Sequence, residues 1–165
     1  MLALILSKII SGGQTGADMG ALLAARKLDV SSGGFAPKGW LTEDGTQEKL
    51  LRGLGLIECE EDGYAARTRR NVENSDGTLL VGQHQSGGSR LTYEIATQLN
   101  KPLFLVAFRR STDVKPDDGR IEEFRYWLDR YKIKVLNVAG NRESETPGIA
   151  EFTSCFLQIA LRGDR

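Results

Sequence analysis

The chain has 165 residues, 22 Lys+Arg against 22 Asp+Glu, and 19 glycines, a glycine share well above the usual ~7%. Apolar residues make up 40% and no Gly-X-Y period appears, so collagen-like and disordered chains are excluded, and the length suits one domain over 1–165. Zero formal charge leaves no global field for nucleic acid, while Cys59, Cys155 and the single histidine His84 are too scattered for a zinc site and fit a reducing cytoplasm.

Apolar runs and helical patterns alternate along the chain. Met1–Ile10 is apolar but lacks a basic leader region and is far shorter than the ~20 residues of a membrane helix. It reads as a first buried strand, Leu4–Ile10, in a soluble, cytoplasmic protein with no membrane partner. Gly16–Leu28 places Ala21, Leu22, Ala25 and Leu28 on one helical face. Ser31–Phe35 reads as a short strand, Pro37–Gly45 as turns, Gln47–Leu54 as a helix and Leu56–Cys59 as a strand. Helix Tyr64–Asn74, strand Gly77–Val81, helix Ser89–Leu99 and strand Pro102–Ala107 follow. After a loop at Arg109–Gly119 come helix Ile121–Tyr131, strand Ile133–Val138 and helix Ile149–Leu161. This alternation predicts an α/β fold, a Rossmann-like three-layer sandwich around a mostly parallel central sheet.

In such folds ligands lie beyond the carboxyl ends of the strands. Two loops at that end are glycine clusters. Ser11-Gly12-Gly13-Gln14-Thr15-Gly16 follows the first strand, and Gln85-Ser86-Gly87-Gly88-Ser89 precedes a helix. Glycines allow close backbone approach, and amides at a helix start favour an anion. If the two strands adjoin, both loops face one crevice and suit a phosphorylated small molecule. The plainer alternative is two ordinary turns with Thr15 and Ser89 as N-caps, worth about 1 kcal/mol each.

The loop chemistry narrows the anion. Ser11 stands where the dinucleotide pattern G-x-G-x-x-G needs its first glycine, and Lys38 stands near where that pattern needs an acid. No Gly-Lys-Ser/Thr follows the first loop, so neither NAD nor ATP is favoured. Lys38, between Pro37 and Gly39, either reaches a phosphate or is a solvated turn lysine. Asp18, in a first helical turn, either complements the helix dipole or accepts from a ligand hydroxyl or amine. Arg67 and Arg70, on one helical face, and the adjacent Arg69 read as solvated, the alternative being that they close over an anion. Asp76 reads as a turn cap, and His84 as a surface loop residue near the crevice.

Four segments together resemble the molybdenum-cofactor carrier family, a circularly permuted relative of the YpsA-like proteins in the Rossmann-like SLOG superfamily. They are Ile10-Ser11-Gly12-Gly13-Gln14-Thr15-Gly16-Ala17-Asp18, then Pro37-Lys38-Gly39 with Glu43-Asp44-Gly45. Asn71-Val72 with Ser75-Asp76-Gly77-Thr78, and Gly87-Gly88-Ser89 with Thr92, complete the set. The resemblance implies binding of the molybdenum cofactor (molybdopterin), whose pterin carries a terminal phosphate. It also implies homo-oligomers (dimer or tetramer) and molybdoenzymes as recipients. Carried onto this chain, Gly12, Gly13, Gln14, Thr15, Gly16, Asp18 and Lys38 form one part of the cofactor site and Gly87, Gly88 and Ser89 the other. The expected role is non-catalytic, in keeping with the lack of a Cys-His pair or a Ser-His-Asp set.

The phosphoribohydrolase relatives carry Gly-Gly-x-Gly-Thr-x-x-Glu at the second loop. Here Gly87, Gly88 and Glu94 keep the spacing, but Arg90 and Leu91 replace Gly and Thr. That departure weakens the alternative of a nucleoside-monophosphate hydrolase using Glu94 or Asp18. A nucleotide or ADP-ribose sensor is the third reading.

Overall fold

A computed structural model describes residues 6–108 and 115–162. The first parts of the expected strand Leu4–Ile10 and of the expected loop Arg109–Gly119 lie outside the described residues.

Six strands form one sheet in the order β5-β2-β1-β8-β6-β7. They are β1 (Lys8–Ile10), β2 (Ser31–Ala36), β5 (Leu56–Glu58), β6 (Gly77–Val81), β7 (Leu103–Val106) and β8 (Val135–Gly140). Every pairing between them is parallel. This is the α/β, Rossmann-like arrangement expected from the alternation of strands and helices. All five residues of β6 are buried, as a central parallel strand covered on both faces requires.

The helices are α1 (Ala17–Lys27), α2 (Glu48–Gly53), α3 (Tyr64–Glu73), α4 (Gly87–Gln98), α5 (Asp118–Arg130) and α6 (Ile149–Leu161). None of the described helices is long and apolar enough to cross a membrane. Helices α1, α5 and α6 enclose the main core. There Ala21, Ala24 and Ala25 of α1 join Leu79, Val81, Phe124, Phe156 and Leu157. Gly20 is what lets α1 approach α6, since a Cβ there would stand 2.3 Å from the Ala150 carbonyl oxygen. Helices α3 and α4 share a smaller cluster of Val72, Ile95 and Ala96. A third cluster joins Leu22, Trp40, Leu51 and Leu56 near the β5 edge.

The segment Pro37–Gly45 is more ordered than its turn-rich composition predicts. A short 3-10 turn at Lys38–Trp40 leads into a hairpin of β3 (Leu41–Thr42) and β4 (Gly45–Thr46). Two-residue strands are too short to give a period-2 signal. Asp76 does act as a cap, though across the sheet: its carboxylate accepts from the amides of Lys134 (2.9 Å) and Val135 (2.8 Å) where β8 begins.

Candidate functional site: a cavity where three loops meet

Strand β8 lies between β1 and β6, so the strands preceding the two glycine loops are not neighbours. The loops nonetheless line one cavity of about 530 Å³, because the end of β8 and the loop after it join them. Asn137 to Gly140 of β8 line that cavity together with Asn141, Arg142 and Thr146 of the following loop.

Asn141 fastens the three loops together. Its Oδ1 accepts from the Gln83 amide at 2.9 Å, and its Nδ2 donates to the Gln83 carbonyl at 2.9 Å and to Ser89 Oγ at 3.3 Å. Its own carbonyl accepts from the Ala17 amide at 3.2 Å. Gly16 makes that contact possible, since a Cβ there would stand 2.3 Å from the Asn141 carbonyl oxygen.

Three amides of the first loop are already engaged. That of Gln14 donates to the Asp18 carboxylate at 3.1 Å, that of Gly13 to Ser11 Oγ at 3.4 Å, and that of Thr15 to Gln14 Oε1 at 3.0 Å. The anion this turn holds is the chain's own aspartate. Asp18 is in turn ion-paired with Arg67 of α3, Nη1 to Oδ2 3.3 Å, with side chains only 9% and 11% exposed respectively. Gly12 makes room for the guanidinium, because a Cβ there would lie 1.7 Å from Arg67 Nη1. Burial pushes the Asp18 carboxyl above its usual range, opposed by Arg67 and by the amides of Gln14 and Gly12.

Two polar atoms in this corner are buried without a partner, Gln14 Nε2 and Arg67 Nε. Both residues line the cavity. The ring of Tyr64, also on the lining, carries the guanidinium of Arg67 at 5.5 Å and that of Arg142 at 5.6 Å from its centroid.

The second loop is arranged differently. Ser86 precedes α4 but its side chain makes no capping bond. A Cβ added at Gly87 or Gly88 would meet nothing within 4 Å, so the first turn of α4 opens onto free space in the cavity wall. An uncapped helix start of this kind attracts an anion through its amides and the helix dipole.

A third arrangement ties the rim. Glu43, in the β3–β4 turn, accepts from Thr15 Oγ1 and from the hydroxyl and amide of Ser144, while its own amide donates to Gln14 Oε1 at 2.8 Å. Burial works against ionisation of Glu43. The bonds from Ser144 and Thr15, with Arg142 nearby, outweigh it and hold the carboxyl below its usual range.

Residues 9–161 match the family described as circularly permutated YpsA SLOG. The chain belongs to that family. It is also similar, at 37% identity and a TM-score of 0.81, to the crystal structure of a candidate molybdenum carrier protein from Syntrophus aciditrophicus SB, with 96% of each chain covered. Among curated proteins, none matches.

In this member of the SLOG family the expected site residues fall into three groups. Gly12, Gln14, Asp18, Gly87, Gly88 and Ser89 line the cavity. Gly13, Thr15 and Gly16 shape the first loop without being among the lining residues. Lys38 is half-exposed and pairs with Asp62 at 3.4 Å, away from the lining set. His84 stacks on Tyr93 with ring centroids 5.2 Å apart, and Glu94 pairs with Arg90 at 2.8 Å on the exposed side of α4.

The two expected N-caps differ from the observed ones. Gly16 rather than Thr15 precedes α1, and Ser86 rather than Ser89 precedes α4. Thr15 bonds Glu43 across the rim, and Ser89 accepts from Asn141. Sequence reasoning passed over Tyr64, Asn141 and Arg142, and took Arg67 mainly for a solvated residue. The rule that ligand loops follow parallel strands, applied to β8 as well, would have pointed to Asn141–Thr146.

Proposed function

We propose that the cavity binds the molybdenum cofactor as cargo, with the terminal phosphate of its pterin held at the start of α4. The observation that carries this is the unobstructed first turn of that helix, where Gly87 and Gly88 have open space before them and no side chain caps the amides. Arg142, which makes no ion pair among the described residues, lines the same cavity and supplies the positive charge that a neutral chain lacks globally. Asp18 neutralises Arg67, so Arg142 and the amides carry the attraction for the phosphate. The volume, about 530 Å³, falls within the range of small-molecule sites.

In this reading Gly12, Gly13, Gln14, Thr15, Gly16 and Asp18 build the frame, while Gly87, Gly88, Ser89 and Arg142 meet the phosphate. Lys38 drops out, being paired outside the lining. The named relative supports the choice of cargo, and membership of the SLOG family supports a ligand at these loops. The exposed Arg90–Glu94 pair gives the hydrolase alternative no carboxylate in the cavity at that position.

The test is protection and binding. Purified chain mixed with an equimolar amount of freshly released molybdenum cofactor should slow its oxidation, and Arg142→Ala should abolish most of the effect. Decay at the rate of free cofactor in the presence of wild-type chain would rule the proposal out.

A further inference from the structure

The cavity has a second polar corner, chemically unlike the start of α4. Gln14 Oε1 accepts from two amides, Thr15 at 3.0 Å and Glu43 at 2.8 Å. That fixes the amide's orientation and leaves Nε2 as the free end, a donor. Gln14 is 7% exposed, and its Nε2 has no partner. Arg67, 9% exposed, has the same shortage at Nε. The two residues are held in one corner by a common acceptor. Asp18 Oδ2 takes the backbone N–H of Gln14 at 3.1 Å and Arg67 Nη1 at 3.3 Å. Both line the cavity.

Buried donors without acceptors are rare, because burial strips their water and nothing replaces it. A bound group that only accepts would satisfy both. Its charge is set by Asp18: the guanidinium is already neutralised there, so the corner favours a neutral acceptor over a second anion. Here we propose that Gln14 Nε2 and Arg67 Nε read a carbonyl oxygen on the planar heterocycle of a phosphorylated ligand whose phosphate sits at α4. This rests on the site proposed above and adds a selectivity to it: an oxo-substituted ring is accepted, and the same ring with an amino group in that position is rejected. The discrimination follows because an amino group would present hydrogens to two buried donors, and sites built to pair a polar group reject ligands that cannot do so.

The experiment uses four probes on the full chain: an oxidised, phosphorylated oxopterin, inosine monophosphate, adenosine monophosphate and inorganic phosphate. Two variants accompany the wild type. Gln14→Glu keeps an oxygen to accept from Thr15 and Glu43 but replaces the donor. Arg67→Lys keeps a charge for Asp18 but deletes Nε. Thermal unfolding of each variant checks that it is folded. We expect wild-type chain to bind the oxopterin or inosine monophosphate at least tenfold more tightly than adenosine monophosphate. Either folded variant should lose at least tenfold toward the oxo ligand while inorganic phosphate binding changes less than twofold. Equal wild-type affinity for the inosine and adenosine nucleotides, binding of no oxo ligand at all, or folded variants that bind the oxo ligand unchanged would each overturn the inference. Gln14-dependent binding of inosine monophosphate without any binding of the oxopterin would uphold it while removing the cargo proposed above.

Discussion

Asp18 and Arg67, 49 residues apart in sequence, form a buried ion pair that joins the start of α1 to α3, with Nη1 3.3 Å from Oδ2. The pair closes the first glycine loop from inside, since the same carboxylate accepts from the backbone amide of Gln14. Removing one partner of a buried pair leaves the other charge uncompensated. Arg67→Met should therefore destabilise the chain by about 3 kcal/mol, and Asp18→Asn/Arg67→Met by clearly less than the sum of the single changes. Urea unfolding of the three variants checks this, and additive losses would contradict it.

Glycines in the two loops should respond oppositely to alanine. At Gly12 the new Cβ would displace the Arg67 guanidinium, so Gly12→Ala should cost about 1–3 kcal/mol. Gly88 lies in α4 without a positive φ, and its Cβ position is open. There, Gly88→Ala should leave stability unchanged or raise it by about 0.5 kcal/mol. It should still weaken phosphate binding, because the methyl fills space in the proposed site. Paired melting and binding curves would show whether the two effects separate.

Asn141 serves both the amide and the carbonyl of Gln83. Asn141→Ala leaves both part-buried groups without that partner, and a loss of about 1 kcal/mol is expected. Asn141→Asp should be nearly as damaging, because a carboxylate accepts from the amide but cannot donate to the carbonyl. A variant as stable as wild type would mean that water replaces the side chain.

The rim should be sensitive to acid through Glu43. Its folded carboxyl lies below the ordinary value of 4.5, so the folded chain holds that proton more weakly than the unfolded chain. The stabilisation is complete above the ordinary value and is lost as pH falls through the lower, folded one. The stability difference between wild type and Glu43→Gln should accordingly shrink in acid. Asp18, whose carboxyl shifts upward, is common to both chains and cancels in the comparison. A difference independent of pH would show that Glu43 contributes through shape alone.

What the sequence determined by itself was the periodic part of the molecule. Buried parallel strands such as Gly77–Val81 and helix positions such as Ala21, Leu22 and Ala25 are local patterns, and local patterns survive without coordinates. The glycine loops were legible too, as breaks between those patterns. Tertiary structure decided how the loops are used. Strand order placed β8 between β1 and β6 and so brought Asn141 and Arg142 to the cavity from a part of the chain without a recognisable motif. It also turned Arg67 inward. On α3 that residue sits among charged neighbours and reads as solvated. It is buried because Asp18, 49 residues away, supplies a counter-charge and Gly12 leaves the room. The pairing of distant charges and the space beside a missing side chain depend on where separate segments meet, and no window of local sequence contains that information.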